Sequence, residues 1–527
     1  MQKKLPTPTD HVLNPFLQKH QRDVMGILHS FDRLRFQGSL RCLYSGSVFQ
    51  EYLDQAKVLW KDFKEFATGL TARVCQSAQQ LAQAAGRPFV YLASSGTSKE
   101  DLARQIAQRE GIGEGLVAVF RCVEPCRTYH VRGNYRTKKL ELKLEWGKCL
   151  HLYFYVQHPR LGLLHLRLQT WFPFLIHICW NGHEWLARQM RQAGLSYRQV
   201  DNRFTWIEDF ASAQVLADAQ LRTDWVAQCE ELRRAYHPLH EEIGRPLRGL
   251  SYYWTAPQTE YASDVLFREQ AVLERLFPRL AHHAMLHLGS EQVMRFLGKR
   301  CAGKFNGEVI SDLRRRSEGL RIKHWVNENS IKLYNCLNVL RPETTIHQAE
   351  DLRVFRSPET RPDGPLAWYP LRRGVADLHR RAQLSRAANE RYLTALAAAN
   401  DTTALAEEAA KVCRAVLREG RRYRALNPFA DSDAQLLAVV NRGDWTLKGF
   451  RNRDLRPLLY GTAKTKQDKR RQAAKVTRRL ALLHAHGLIA KVSRTHRWLL
   501  TDKGRRITTA LLAARQASTD QLISLAA

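Results

Sequence analysis

Apolar and polar residues alternate along the first 356 residues with two periods, one typical of strands and one of helices. In chain order they predict a strand at 31–40, a helix at 69–85, a strand at 88–93, a helix at 98–110, strands at 115–123, 140–145, 149–156, 162–169 and 175–180, a helix that Asn181 caps, and a helical segment at 224–299. We therefore expect an α+β fold, with a β-α-β region at 1–135 and a mixed or antiparallel sheet body with helical insertions at 136–356.

The segment from Asp312 to Glu343 has the highest density of residues suited to chemistry. Runs at 319–326, 330–335 and 339–346 predict a three-stranded meander. Because side chains alternate along a strand, five polar residues are predicted on related faces. They are Lys323, Lys332, Tyr334, Arg341 and Glu343.

Acidic residues in and before this meander predict a metal site. Glu260 and Asp264 are four positions apart in a segment predicted as helix, so they would share a face and join Asp312 and Glu343. Oxygen ligands suit Mg²⁺ or Mn²⁺, and we expect the metal on Asp312, Glu343 and Asp264. Such a metal polarises a scissile phosphate while the Tyr334 hydroxyl or a water attacks it. The alternative is that Glu260 and Asp264 pair with neighbouring arginines.

A second carboxylate pair is a rival site. Asp32 in the first predicted strand and Glu124 at the end of a later one have the order of the two metal-bridging carboxylates in RNase H-like nucleases and transposases. The alternative is a simple pairing of Asp32 with Arg33 or Arg35. Tyr392 is an alternative nucleophile to Tyr334, or else a packed aromatic.

Thiol and imidazole residues form a third group. They lie in a Cys-x3-Cys and a Cys-x-His pattern, and they are Cys122, Cys126, Cys149 and His151. These residue types are zinc ligands. The alternative is buried thiols that pack in the core.

The net charge of the chain indicates the class of its binding partner. The chain has 83 Lys and Arg against 51 Asp and Glu, a formal charge of +32, and residues 440–527 hold twenty of the basic and five of the acidic residues. A surface this basic favours a polyanion, and we find no amphipathic anchor or lipidation signal that would favour a membrane. With no secretory signal and ten cysteines expected as thiols, we expect a cytosolic, nucleoid-associated protein.

The same C-terminal region has a distinctive order of predicted elements. After a mostly helical bridge at 371–440, the region 441–527 predicts an amphipathic helix at 468–486 that Gly487 ends, strands at 488–492 and 497–500, and a helix after Asp502. This order, with the helix segment AKVTRRLALL (474–483), resembles the MarR-like winged-helix family. The resemblance implies that the residues facing nucleic acid are Lys475, Thr477, Arg478 and Arg479, with Arg494 and Arg497 on the wing.

Two further resemblances concern the whole chain and the meander. IKLYN (331–335) followed by VLRPETT (339–345) resembles strands of plasmid and phage rolling-circle replication initiators, which nick DNA through a tyrosine. Blocks such as KCLHLYFY (148–155), TWFPF (170–174), NGHEWLA (181–187) and EYASD (260–264) resemble a widespread multi-copy bacterial group of unassigned function. Multiplicity of that kind implies a mobile element.

Together these observations predict a mobile-element protein that binds DNA, or a structured RNA, and acts as a metal-dependent endonuclease, transposase or replication-initiator-like nickase. Lys323, Lys332 and Arg341 would hold the phosphates. The alternative is a non-catalytic DNA- or RNA-binding regulator or a ribonucleoprotein scaffold. The sequence leaves open whether the chain forms a homodimer.

Overall fold

The computed structural model of the chain divides into two compact units, formed by residues 1–300 with 307–399 and by residues 301–306 with 400–527. The division at residue 399 falls inside the segment that the sequence assigns to a bridge. The residues described are 14–94, 96–298, 308–316, 319–358, 361, 363–400, 405–442, 445, 449–463, 465–492 and 495–516.

The first unit holds most of the strands that the structure describes. They are β1 (Val24–Ser39), β2 (Phe89–Tyr91), β3 (Gly115–Asn134), β4 (Lys139–His158), β5 (Gly162–Gln169), β6 (Ile176–Asn181), β7 (Tyr197–Val200), β8 (Arg203–Ile207), β9 (Tyr253–Phe267), β10 (Val309–Arg316), β11 (Gly319–Val326), β12 (Asn329–Cys336), β13 (Val339–Ile346), β14 (Arg353–Arg356) and β15 (Ala367–Pro370). β7 pairs with β8, and β14 pairs with β15, as separate hairpins.

The helices of the first unit lie between these strands. They are α1 (Pro15–Lys19), α2 (Gly46–Gln55), α3 (Phe63–Ala84), α4 (Lys99–Arg109), α5 (Gly182–Gln192), α6 (Phe210–Asp218), α7 (Trp225–Tyr236), α8 (His240–Gly244), α9 (Gln270–Leu286), α10 (Ser290–Phe296) and α11 (Leu378–Leu396). The predicted cap of α5 is confirmed, because Asn181 Oδ1 accepts hydrogen bonds from the backbone N–H groups of His183 and Glu184 at 2.8 and 3.0 Å. No helix of the described residues combines the length and the hydropathy that a membrane-spanning segment requires.

One sheet of eleven strands organises this unit, in the order β10-β11-β12-β13-β9-β1-β6-β5-β4-β3-β2. β2 and β3 pair in parallel with α4 between them, which confirms the predicted β-α-β unit. The other pairings in the sheet are antiparallel, and the meander of β11, β12 and β13 is confirmed. The α+β class is confirmed.

The two faces of the sheet differ in chemistry. Leu34, Phe36, Ile178 and Trp180 point to one face and are buried in a core shared with α2, α3, α5 and α7. Neighbouring positions on the strands point to the opposite face, which we call the polar face. The strand pairings align residues of the polar face in two rows across the sheet. These rows are Lys323–Lys332–Glu343 and Arg35–Cys179–His165–Tyr155.

The prediction of a continuous helical segment at 224–299 is wrong at its centre, where the chain forms β9. Side chains of β9 are buried on both faces, so apolar and polar residues do not alternate along it as they do on a half-exposed strand. The prediction that Glu260 and Asp264 lie on a helix is therefore wrong as well. They still share a face, because residues four apart on a strand point the same way. A second difference is that the strands predicted at 140–145 and 149–156 are one strand, β4.

The second unit has its own hydrophobic core. Its elements are α12 (Leu405–Val412), β16 (Val416–Arg418), β17 (Arg421–Tyr423), α13 (Asp431–Val440), α14 (Asn452–Tyr460), α15 (Lys466–Ala485), β18 (Ile489–Lys491), β19 (Trp498–Leu500) and α16 (Asp502–Gln516). The apolar stripe predicted on α15 is buried at Val476, Leu480 and Leu483. Before α14, Phe450 exchanges two backbone hydrogen bonds with Trp498 of β19 at 2.9 and 2.8 Å.

Candidate active site

Three carboxylates meet on the polar face, where three neighbouring strands cross the middle of the sheet. Asp32 comes from β1, Glu260 from β9 and Glu343 from β13, and one oxygen of each lies within 4.8 Å of the others. Asp32 and Glu343 are buried, and Glu260 is partly exposed. The pairing of β1 with β9 shifts between Phe31 and Arg33, so Asp32 lies in a bulge. We call these three residues the carboxylate cluster.

Lys332 of β12 is the cation nearest to the carboxylate cluster. Its Nζ donates to Glu343 Oε1 at 2.6 Å and to Glu260 Oε1 at 3.2 Å. Burial raises the pKa of the Glu343 carboxyl, the Lys332 ammonium opposes that shift, and the charges of Glu260 and Asp32 raise the pKa further. The Lys332 ammonium therefore pairs with two of three acids that repel one another.

A second ion-paired group lies directly beside this cluster. Arg341 of β13 donates two hydrogen bonds to the Asp264 carboxylate of β9, at 2.6 and 2.8 Å. Both side chains are buried. Burial favours the neutral acid, but Arg341 and His183 hold the pKa of Asp264 down to about 2. Asp264 is thus a charged partner of Arg341, which leaves it little freedom to bind anything else.

His183 connects the two groups. It lies near the N-terminus of α5, and its Nδ1 and Nε2 are 2.9 Å from Asp32 Oδ1 and 3.4 Å from Asp264 Oδ2. Burial and Arg341 lower the pKa of His183, but the two aspartates outweigh them and raise it. Asn202, in the turn between β7 and β8, also donates to Asp32. These contacts fix the Asp32 carboxylate in place and, with Arg341, keep its pKa low despite burial.

The predicted site residues separate into those the structure brings together and those it does not. Glu343, Glu260 and Tyr334 come together, since Tyr334 is paired across the strands with Arg341 and the charge of Glu343 helps burial to raise the pKa of its hydroxyl. Asp312 does not join them. It lies on the edge strand β10, three strands from β13, and forms ion pairs with Arg314 and Arg321.

The expected pairing of Asp32 with Glu124 is wrong, because three strands separate β1 from β3 in the sheet. Glu124 instead pairs with Lys99 at 3.1 Å and Arg167 at 3.0 Å. Sequence reasoning missed His183, although a polar residue directly after a buried strand was a signal for it. Tyr392 is fully buried, and its hydroxyl lies 2.9 Å from His324 Nε2.

The basic residues predicted to bind nucleic acid also fall into two classes. Lys332 and Arg341 are buried, whereas Lys323 is partly exposed and lies over the Trp325 ring at 4.8 Å. On α15 the predicted residues are exposed, except for Arg479, which is partly exposed. They are Lys475, Thr477, Arg478 and Arg479. Arg497 is partly exposed, and Arg494 lies outside the described residues.

Tyr460, at the end of α14, lies under two of these cations. Lys475 Nζ and the Arg479 guanidinium carbon are 5.5 and 5.4 Å from the centre of its ring. Cation–π contacts of this kind hold the long side chains along one side of α15. Comparisons with protein families, with curated proteins and with solved structures return no match to this chain.

Proposed function

We propose that this protein binds nucleic acid and cleaves or transfers a phosphodiester with a divalent metal held by the carboxylate cluster. The observation that carries the proposal is the convergence of Asp32, Glu260 and Glu343 from three adjacent strands onto the polar face. Lys332 pairs with Glu260 and Glu343, and His183 and Arg341 contact Asp32, so each acid has a neighbouring cation that a bound metal would compete with. Three hard oxygen donors within reach of one ion suit Mg²⁺ or Mn²⁺.

The surrounding residues have separate roles in this chemistry. The metal would supply polarisation of the scissile phosphate. Lys332 orients Glu343 and Glu260, and His183 with Asn202 orients Asp32. Exposed Arg33 and Arg35 lie on the same face and would contact phosphates.

Tyr334 is the proposed nucleophile for a nicking reaction. Burial and the nearby carboxylates raise the pKa of its hydroxyl, so the hydroxyl carries its proton at neutral pH. A base must therefore take that proton during attack, and we assign this role to a carboxylate of the cluster, whose charges act on the Tyr334 hydroxyl. If a water attacks instead, the reaction is hydrolysis and no covalent adduct forms.

The second unit supplies the proposed binding surface. Its order of α13, the Phe450 segment, α14, α15, the β18–β19 hairpin and α16 supports the proposal of a winged helix, a module that places a basic helix in the major groove. The exposed cations of α15 support the same role. A nucleoid-associated mobile-element protein, acting as an endonuclease, a transposase or a replication-initiator-like nickase on DNA, is the function that accommodates both units.

The ion pairs of Lys332 favour a second candidate function, which is nucleic-acid binding without cleavage. The Lys332 ammonium already neutralises part of the cluster, and buried ion pairs of this kind also occur as purely structural groups. A regulator or a ribonucleoprotein scaffold would use the basic surfaces alone. A homodimer is compatible with either function.

The test is cleavage of labelled single- and double-stranded DNA and RNA by the full chain, with Mg²⁺, Mn²⁺ or a chelator. We expect chelator-sensitive cleavage that falls at least about 100-fold in Glu343→Gln and Glu260→Gln. Asp312→Asn is the matched control, because Asp312 is also an ion-paired acid of the sheet but lies outside the cluster. A covalent adduct that Tyr334→Phe abolishes would identify the nucleophile.

Two outcomes decide against cleavage at this site. Cleavage that persists in a folded Glu343→Gln variant overturns the assignment of the cluster. Tight binding with no cleavage under any metal supports the regulator or scaffold. Circular dichroism of each variant separates lost chemistry from lost folding.

A further inference from the structure

A group of soft metal ligands lies on β3 and β4, apart from the carboxylate cluster. The two strands are antiparallel, and their register pairs Cys122 with His151 and Glu124 with Cys149. Alternation then places Cys126, Cys149 and His151 on one face of the ladder. One ligand atom of each of these three lies within 4.8 Å of the other two.

The distances within this group lie close to the spacing of zinc ligands. Cys126 Sγ and Cys149 Sγ are 3.2 Å apart, and Cys149 Sγ and His151 Nδ1 are 4.0 Å apart. A tetrahedral zinc with Zn–S of about 2.3 Å and Zn–N of about 2.0 Å holds its ligand atoms roughly 3.5 to 3.8 Å apart. The observed values lie on either side of that range. Small rotations of the side chains would therefore bring all three atoms to one ion.

Burial also separates this group from an ordinary surface cluster. The residues Cys126, Cys149 and His151 are 7 %, 8 % and 1 % exposed. Cys149 also lines a cavity of about 810 Å³, together with Thr128 and His130. An ion bound by three protein ligands has a fourth position, and the cavity is where a water or a small ligand would reach it.

We propose that Cys126, Cys149 and His151 bind one zinc ion, with the fourth coordination position directed to the cavity. The site is independent of the proposed nuclease, since thiolate and imidazole ligands select a softer metal than carboxylates do. His151 Nδ1 is 3.2 Å from the carbonyl oxygen of Cys149. In this contact Nδ1 is the donor, so zinc binding at Nδ1 replaces the hydrogen bond and moves the ring proton to Nε2.

The competing state of the same residues is a disulfide. The two sulfur atoms are 3.2 Å apart, and a bond of about 2.05 Å would require them to move closer by about 1 Å. A disulfide between Cys126 and Cys149 removes both thiolates. It therefore excludes the zinc site, and intact mass under non-reducing conditions reports it as the loss of two hydrogen atoms.

The experiment measures metal in the full chain, purified without chelator. We expect about one equivalent of zinc per chain by elemental analysis, and a thiolate-to-cobalt charge-transfer band when Co²⁺ replaces it. Cys126→Ser, Cys149→Ser and His151→Gln should each lose the zinc. Cys122→Ser, four residues from Cys126 on β3 and paired with His151 but outside the group of three, and Cys229→Ser, in the core at α7, are the matched controls and should keep it.

Thiol alkylation of the unmutated chain covers the case in which a variant does not fold. Zinc should protect Cys126 and Cys149 from alkylation, and a chelator should remove the protection while leaving that of Cys229 unchanged. Three results overturn the proposal. They are a chain without stoichiometric zinc that also fails to take up added zinc, zinc retained in a folded Cys149→Ser variant, and a disulfide between the two cysteines in the freshly purified chain.

Discussion

Two basic residues at the centre of the sheet and two on α15 are in opposite environments. In the sheet, Lys332 and Arg341 are buried against carboxylates, and ion pairs with those carboxylates neutralise their charge. On α15, Lys475 and Arg478 are exposed. Both pairs count equally toward the net charge of +32. Net charge therefore predicts that the chain binds a polyanion. The burial of each lysine and arginine determines whether its side chain can contact that polyanion.

Loss of a buried cation should have the largest effect. We expect Arg341→Met to lower the free energy of unfolding by about 3–5 kcal/mol, because the buried Asp264 carboxylate would lose its two strongest hydrogen bonds and its guanidinium partner, and would keep only the 3.4 Å contact with His183. Lys475→Met removes the same charge type from the surface of α15 and should change stability by less than about 0.5 kcal/mol. Urea unfolding followed by circular dichroism measures both.

A double variant separates the charge effect from lost packing. Arg341→Met with Asp264→Leu replaces the ion pair by apolar side chains, so much of the lost stability should return. Equal stability losses for Arg341→Met and Lys475→Met would remove the distinction between the two units.

The sequence predicted the parts of the fold where local pattern and tertiary environment agree. The meander of β11 to β13 alternates because one face is apolar, and Asn181 caps α5 because its side chain completes the backbone hydrogen bonding of the first turn. β9 could not be recognised, because a strand buried on both faces has no such alternation. Its place in the centre of the sheet depends on pairings with strands far away in the chain.

The residues of the candidate site also divide into those that the sequence could predict and those that it could not. Glu343, Glu260 and Tyr334 could be predicted, because their residue types and spacing suit phosphoryl chemistry. The rival pair of Asp32 with Glu124 fails because the order of strands along the chain does not give their order in the sheet. Lys332 is predicted to hold a phosphate, and only the fold shows that two carboxylates contact its ammonium.

The first unit also contains buried histidines, which are basic groups that burial keeps uncharged. They extend the comparison of buried with exposed basic groups. Burial lowers the pKa of His324 to about 4, below an unfolded value of about 6.5. Its contribution to stability is therefore complete above pH 6.5 and is lost as the pH falls from 6.5 to 4. At about 1.4 kcal/mol per pH unit, one such histidine accounts for up to about 3 kcal/mol over that window.

His324→Gln should reduce this pH dependence. The glutamine can keep a hydrogen bond to Tyr392 or Ser311 but does not titrate. His496→Gln is the control, because the side chain of His496 is exposed in the second unit. The measurement is the free energy of unfolding between pH 7.5 and 5. If His324→Gln leaves the slope of unfolding free energy against pH unchanged, burial of the neutral His324 imidazole does not cause the pH dependence.

The exposed cations of α15 should have the smallest effect on stability and a measurable effect on binding. We expect the double variant Arg478→Gln, Arg479→Gln to bind DNA about tenfold more weakly, a loss of about 1.4 kcal/mol. The slope of log affinity against log salt should become shallower by about 1.8, because each phosphate contact contributes about 0.9. Arg421→Gln with Arg422→Gln, on the exposed β16–β17 hairpin, removes the same charge from the same unit. If both double variants shift the slope equally, the affinity comes from the total charge of the unit, and α15 has no special place in binding.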